Sequence, residues 1–218
     1  MPRLLFEKTG NAVWISHLDL MRLFQRAFKR AQLPLSHTQG FNPRPSISIL
    51  LPLSVGVQSH CEMLDFDLDG MEVSCNEICK RLNAVLVDGI RVLQVYEQGK
   101  KGKELKHLDC TVTLEYDAGV PAGAADAVAR LFQRENILLE KRSKNGVTEQ
   151  DIIPMIRTLA VQEEADSLVI RARICCQDPA LNPMQLSTAV QKYLPEFVSD
   201  AAKCCRLEVY DGNQELFR

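Results

Sequence analysis

Apolar positions along the first hundred residues alternate between a strand-like and a helix-like period. Arg3–Lys8 (RLLFEK) predicts a short strand, with a turn at Thr9-Gly10-Asn11 and an extended piece at Ala12–Ile15. Ser16 then opens a helix, with Asp19 three residues on as the reciprocal half of a capping box. Leu20, Leu23, Phe24, Ala27 and Ala31 form one apolar stripe along that helix, which Pro34 is expected to close. The stretch Ser36–Ser46 (SHTQGFNPRPS) carries too many turn residues to be regular. Strands are expected at Ile47–Leu53 and at Met63–Leu68, the latter alternating apolar and acidic residues. Ser74 and Glu77 make a second capping box, whose helix shows the stripe Cys75, Ile78, Cys79, Leu82, Val85, Leu86 and is expected to end at Gly89. Arg91–Tyr96 is a further strand.

That order is β-α-β-β-α-β, the ferredoxin-like arrangement. Gln98–Glu104 (QGKKGKE) reads as a linker, after which the same order recurs. Strands are expected at Leu108–Tyr116, Ile137–Lys141, Ile156–Gln162, Leu168–Cys176 and Cys204–Tyr210, with a tight turn at Ser143-Lys144-Asn145-Gly146. Helices are expected at Ala122–Glu135 and from Asn182-Pro183, with the stripe Leu186, Ala189, Val190, Tyr193 ending at Pro195. The fold class that follows is α+β: two tandem ferredoxin-like (β-α-β-β-α-β) domains with antiparallel sheets, residues 1–98 and 104–218, the second with an extra strand.

Charge changes the picture at one place. The net charge of −2 over 218 residues hides an uneven distribution. From Met1 to His60 the bases Arg3, Lys8, Arg22, Arg26, Lys29, Arg30 and Arg44 face only Glu7 and Asp19, which favours an anionic partner. No apolar run reaches the roughly 20 residues that span a bilayer, and Met1–Gly10 lacks a signal-peptide core, so a cytoplasmic protein with no membrane partner is expected. Eight cysteines contain no C-x-x-C pair, and the Cys175-Cys176 and Cys204-Cys205 pairs lie in strand-like runs where alternation points one thiol in and one out. They read as small hydrophobes, and neither metal nor cofactor is expected.

The densest chemistry lies in Trp14–Pro45. Arg22, Arg26, Lys29 and Arg30 occupy the polar side of the first helix. The loop that follows adds Phe41 as a stacking surface, Asn42, and Arg44 as a phosphate contact, a combination common in single-stranded RNA recognition. Lys8 and His17 are candidates for an anion site with the helix start. His17 is also the weak candidate for a catalytic base. His37 and His60 stand too far apart in sequence to propose a metal with it.

The segments Phe6-x-Lys8-x-x-Gly10, Ser16-His17-Leu18-Asp19-Leu20-Met21-Arg22, Arg26-Ala27-x-x-Arg30-Ala31-x-Leu33-Pro34, Gly40-Phe41-Asn42-Pro43-x-Pro45 and Pro52-Leu53-x-Val55-Gly56-x-x-Ser59 resemble a bacterial family of unknown function described as radical-SAM-linked. Lys144-x-Gly146 and Asp151-Ile152-x-Pro154 look like its later motif. The resemblance implies a companion of a radical SAM protein, either fused to it or encoded beside it. Arg44 stands where the family usually has histidine, which argues against acid-base chemistry there. Cys75-x-x-x-Cys79 has only the first spacing of a radical SAM cluster loop, and position 82 is Leu82, so that chemistry belongs to the partner. The expectation is a non-catalytic accessory that binds RNA (tRNA or rRNA) or presents substrate. An enzyme using His17 on RNA or on a phosphorylated ligand and a protein-interaction module without RNA binding are the alternatives.

Overall fold

The computed structural model describes residues 1–143 and 146–218. It is a mixed α+β protein, mostly sheet, with four α-helices among the described residues, and it divides into two compact units. The first comprises Met1–Glu104 together with Phe217–Arg218, and the second Leu105–Leu216.

In the first unit the elements run β1 (Arg3–Lys8), α1 (His17–Arg30), β2 (Ile47–Ile49), β3 (Gln58–Phe66), α2 (Cys75–Asn83) and β4 (Ile90–Tyr96). β1 is central and antiparallel to both β3 and β4, while β2 pairs with the C-terminal half of β3. Leu4, Phe6, Leu64 and Phe66 bury one sheet face against Leu20, Phe24, Ala27 and Phe28 of α1 and Ile78 and Leu82 of α2. Phe6 meets Phe24 edge-on at 4.8 Å, and Phe28 meets Phe66 at 5.1 Å. Burying these four rings fixes how α1 lies on the sheet, and so which of its faces stays wet.

Several local expectations are corrected. Ala12–Ile15 is not extended, because Gly10–Trp14 forms a 3-10 turn. Helix α1 ends at Arg30, and Gln32 takes the left-handed conformation (φ 56°), so the chain has left the helix before Pro34. Strand β2 stops at Ile49, shortly before Pro52, which has no N–H to continue a ladder. β3 begins at Gln58, five residues before the alternating pattern, because Ser59 and Glu62 pair with Lys8 and Phe6 of β1. Helix α2 stops at Asn83, whose side chain accepts from Val92 N–H and donates to Val92 C=O, both at 2.8 Å. Val85 and Leu86 therefore lie beyond the helix. Gly89, at φ 83°, approaches Thr9 rather than capping α2.

In the second unit the order is β5 (Leu105–Glu115), α3 (Ala124–Leu131), β6 (Leu138–Ser143), β7 (Gly146–Asp151), β8 (Ile156–Glu163), β9 (Ser167–Cys175), α4 (Met184–Tyr193) and β10 (Ala201–Asp211). Within it β5 pairs with β10 and β9, and β9 with β8, all antiparallel. β6 and β7 pair with each other, antiparallel, in a separate two-stranded sheet, and β7 is a strand the sequence pattern does not predict. The expected turn at Ser143–Gly146 and the motif position Lys144 include Lys144 and Asn145, which lie outside the described residues. Helix α4 starts at Met184, one residue later than expected, and Asn182 Oδ1 accepts from the Met184 N–H at 3.1 Å.

Candidate functional site

Helix α1 is held at its start by a reciprocal cap. Ser16 Oγ accepts from the Asp19 N–H at 3.2 Å and donates to Asp19 Oδ2 at 2.7 Å. Arg22 Nη1 donates to Asp19 Oδ1 at 3.1 Å. The Ser16 hydroxyl first, and Arg22 second, hold the Asp19 carboxyl below its ordinary range.

With the core side fixed, three arginines spaced four residues apart fall on one exposed face. Arg22, Arg26 and Arg30 line a groove of about 420 Å³ between α1 and the segment after α2. Its floor is Leu23, Ala27, Val85 and Val87, and Asp19 is the one carboxylate in its wall. Leu23 is therefore half-buried floor of the groove, whereas Phe28, absent from the sequence-derived stripe, is fully buried. Val85 and Val87 were not legible as part of a site, since they follow a helix that ends sooner than its pattern.

On the other side of Arg26 lies a second cavity of about 640 Å³. Gln25, Arg26, Lys29 and Gln32 border it on α1's side, and Leu33, Pro34, Leu35, His37 and Pro45 complete it. The Ser36–Ser46 loop is a narrow hairpin: Ser46 N–H donates to Ser36 C=O at 2.8 Å, Thr38 N–H to Arg44 C=O at 2.9 Å, and Arg44 N–H to Thr38 Oγ1 at 3.1 Å. Phe41 stands at its tip, fully exposed.

The sequence-derived candidates thus separate. Arg22, Arg26 and Arg30 share the groove, Lys29 borders the second cavity, and Phe41, Asn42 and Arg44 belong to the exposed hairpin. His17 is half-buried in the first turn of α1 and lines neither cavity. Lys8 is buried, and its Nζ donates to Val13 C=O at 3.1 Å and Ile15 C=O at 2.8 Å, so it anchors the turn before α1. Phe66 is part of the core. Gln25, Gln32 and His37 were missed as a group. Only the helical spacing of Gln25 between Arg22 and Lys29 marks that face in the sequence.

All eight cysteines are free. Cys175 and Cys176 are both buried, against the expectation of one in and one out, because β9 ends at Cys175 and alternation ends with it. Burial pushes the Cys176 and Cys204 thiols up to about 12 and Cys205 up to about 11. Cys75 and Cys79 pack against the first unit's core. Among the described residues no group of three His, Cys, Asp or Glu could hold a metal, and no helix is long and apolar enough to cross a membrane.

The family model described as uncharacterized protein conserved in bacteria (DUF2344) matches residues 2–183. The chain belongs to this family. No curated protein matches the sequence. Among solved structures, that of a Cbf5-Nop10-Gar1 complex is similar over 95% of this chain at 10% identity, with a TM-score of 0.50. The family member spans 48% of that chain, about half its length. An unknown protein from Galdieria sulphuraria aligns over 94% of this chain and 96% of its own at 11% identity, with a TM-score of 0.27, too low for a shared fold to follow.

Proposed function

We propose that this chain is a non-catalytic accessory that holds RNA along the α1 groove and presents it to a radical SAM enzyme acting on tRNA or rRNA. The observation that carries the RNA part is the single line of Arg22, Arg26 and Arg30 in one groove over an apolar floor. Guanidinium groups one turn apart suit successive phosphates, and the apolar floor suits riboses and bases. The radical SAM part rests on the motif resemblance between Phe6 and Ser59. We further propose that both units are ferredoxin-like and that the domain boundary falls within Gln98–Glu104. Support comes from the strand orders β4-β1-β3-β2 in the first unit and β10-β5-β9-β8 in the second, which place the first, last and middle strands of each unit alike.

The test is fluorescence anisotropy of a labelled tRNA transcript at 50 and 200 mM KCl. Three phosphate contacts predict a roughly twentyfold weakening across that range. The Arg22→Ala/Arg26→Ala/Arg30→Ala variant is expected to lose both the affinity and the salt slope. Wild-type protein that shows no salt-sensitive binding removes the reading. Co-purification with the radical SAM protein encoded by the same genome tests the partnership.

A further inference from the structure

We infer that the second cavity, beside Lys29, is a nucleotide pocket that takes one unstacked base of the strand running along the arginine groove. This rests on the RNA reading above. Its volume of about 640 Å³ lies within the size range of small-molecule sites and exceeds what one nucleotide fills. Leu33, Leu35 and Pro45 provide apolar walls for a base face, and His37 an aromatic one. The amides of Gln25 and Gln32 each carry a donor pair and an acceptor, the combination that reads a base edge. Arg26 and Lys29 place positive charge at its edge and no carboxylate lines it, so charge complementarity selects an anionic ligand. Arg26 belongs to both cavities, so a strand whose phosphates meet Arg22, Arg26 and Arg30 passes the pocket mouth.

A second, independent observation singles out Gln32. It follows the C-cap of α1 at φ 56°, a position where glycine is the ordinary residue and any side chain costs stability. An exposed glutamine at a position that carries that cost, and that lines the cavity, fits a binding role.

The experiment measures AMP, GMP, CMP and UMP binding to the full chain by ligand-observed NMR, and binding of a labelled RNA dodecamer by anisotropy. The variants are Gln32→Gly, His37→Ala and Arg22→Ala/Arg30→Ala. Gln32→Gly suits the left-handed backbone, so it tests the amide without unfolding the chain. Wild type binds at least one mononucleotide, and both pocket variants weaken it about tenfold, as loss of a base-edge contact predicts. The arginine variant leaves mononucleotide binding intact and flattens the salt slope of the dodecamer. If no mononucleotide binds, or the pocket variants bind as wild type does while the arginine variant loses the dodecamer, the pocket is overturned and the RNA groove stands. If the arginine variant keeps the dodecamer and the pocket variants alone weaken mononucleotides, the groove fails and the pocket stands. Displacement of the nucleotide by hexaglutamate at equal concentration overturns the assignment in favour of an acidic peptide.

Discussion

The Leu33 N–H donates to the Phe28 carbonyl at 2.9 Å, reaching back past the end of α1, and the Gln32 N–H inside it donates to Lys29 C=O at 3.2 Å. These are the two bonds of a Schellman motif, and Phe28 and Leu33, both fully buried, supply its apolar contact. Gln32 holds the position that needs φ > 0. Gln32→Gly is therefore expected to stabilise the chain by about 1 kcal/mol, raising the melting temperature by roughly 3 °C. Circular dichroism melting checks it. An unchanged or lower melting temperature shows that the glutamine side chain compensates for its backbone.

Arg3 predicts a larger effect of opposite sign. It is 2% exposed, with Nε donating to Asp65 Oδ1 at 2.6 Å, Nη2 to Asp65 Oδ2 at 3.1 Å and Nη2 to Lys100 C=O at 2.7 Å. Its guanidinium lies 4.9 Å from the Phe217 ring centroid. A Cβ placed on Gly99 would run into that guanidinium. Arg3→Ala is expected to cost about 3 kcal/mol, because it strands Asp65, and Gly99→Ala about 2 kcal/mol by overpacking. Urea unfolding followed by Trp14 fluorescence measures both. A Gly99→Ala variant as stable as wild type would show that the guanidinium has room to move.

The helix caps set an acid dependence. Asp19 is held below its ordinary 3.8 by Ser16 and then Arg22, and Glu77 below its ordinary 4.5 by Arg81. With folded values below unfolded ones, the unfolded chain binds more protons in that window. The contribution is complete above the unfolded values and disappears as pH falls through the folded ones. Asp19→Asn and Glu77→Gln should each lower the melting temperature at pH 7 and converge on wild type near pH 2. A difference that persists at pH 2 assigns the effect to something other than the carboxylate charge.

Thiol reactivity gives a fourth check. Burial raises Cys110 far above the usual thiol range and brings Cys176 and Cys204 to about 12. Since the thiolate is the nucleophile, these three should resist iodoacetamide at pH 8 in the folded chain and all eight should react after denaturation. Mass spectrometry of native-labelled peptides decides; early labelling of Cys110 would mean that β5 opens locally.

Helix α1 was legible because its cap and stripe are both local: Ser16 and Asp19 bond across three residues, and the buried Leu20, Phe24 and Ala27 repeat with the turn. The arginine line was legible for the same reason. What escaped depended on distant backbone. Gln58–Glu62 shows no alternation of hydropathy, and it is strand because β1 pairs with it. Lys8 reads as a surface base, but the 3-10 turn at Gly10–Trp14 brings carbonyls to its ammonium group, and no residue pattern marks where carbonyls point. The second cavity needed the hairpin base and the end of α1 brought together by folding, while Gln25, Gln32 and His37 share no spacing of their own.

Phe217 is fully buried and, with Arg218, belongs to the first unit, where the Lys100 N–H donates to Arg218 C=O at 2.7 Å. During vectorial synthesis those two residues leave the ribosome after the whole of the second unit. Until then Arg3 lacks its aromatic neighbour and Lys100 one of its bonds. The first unit to emerge is therefore the last to be completed, and its final closure reports that translation has passed residue 217.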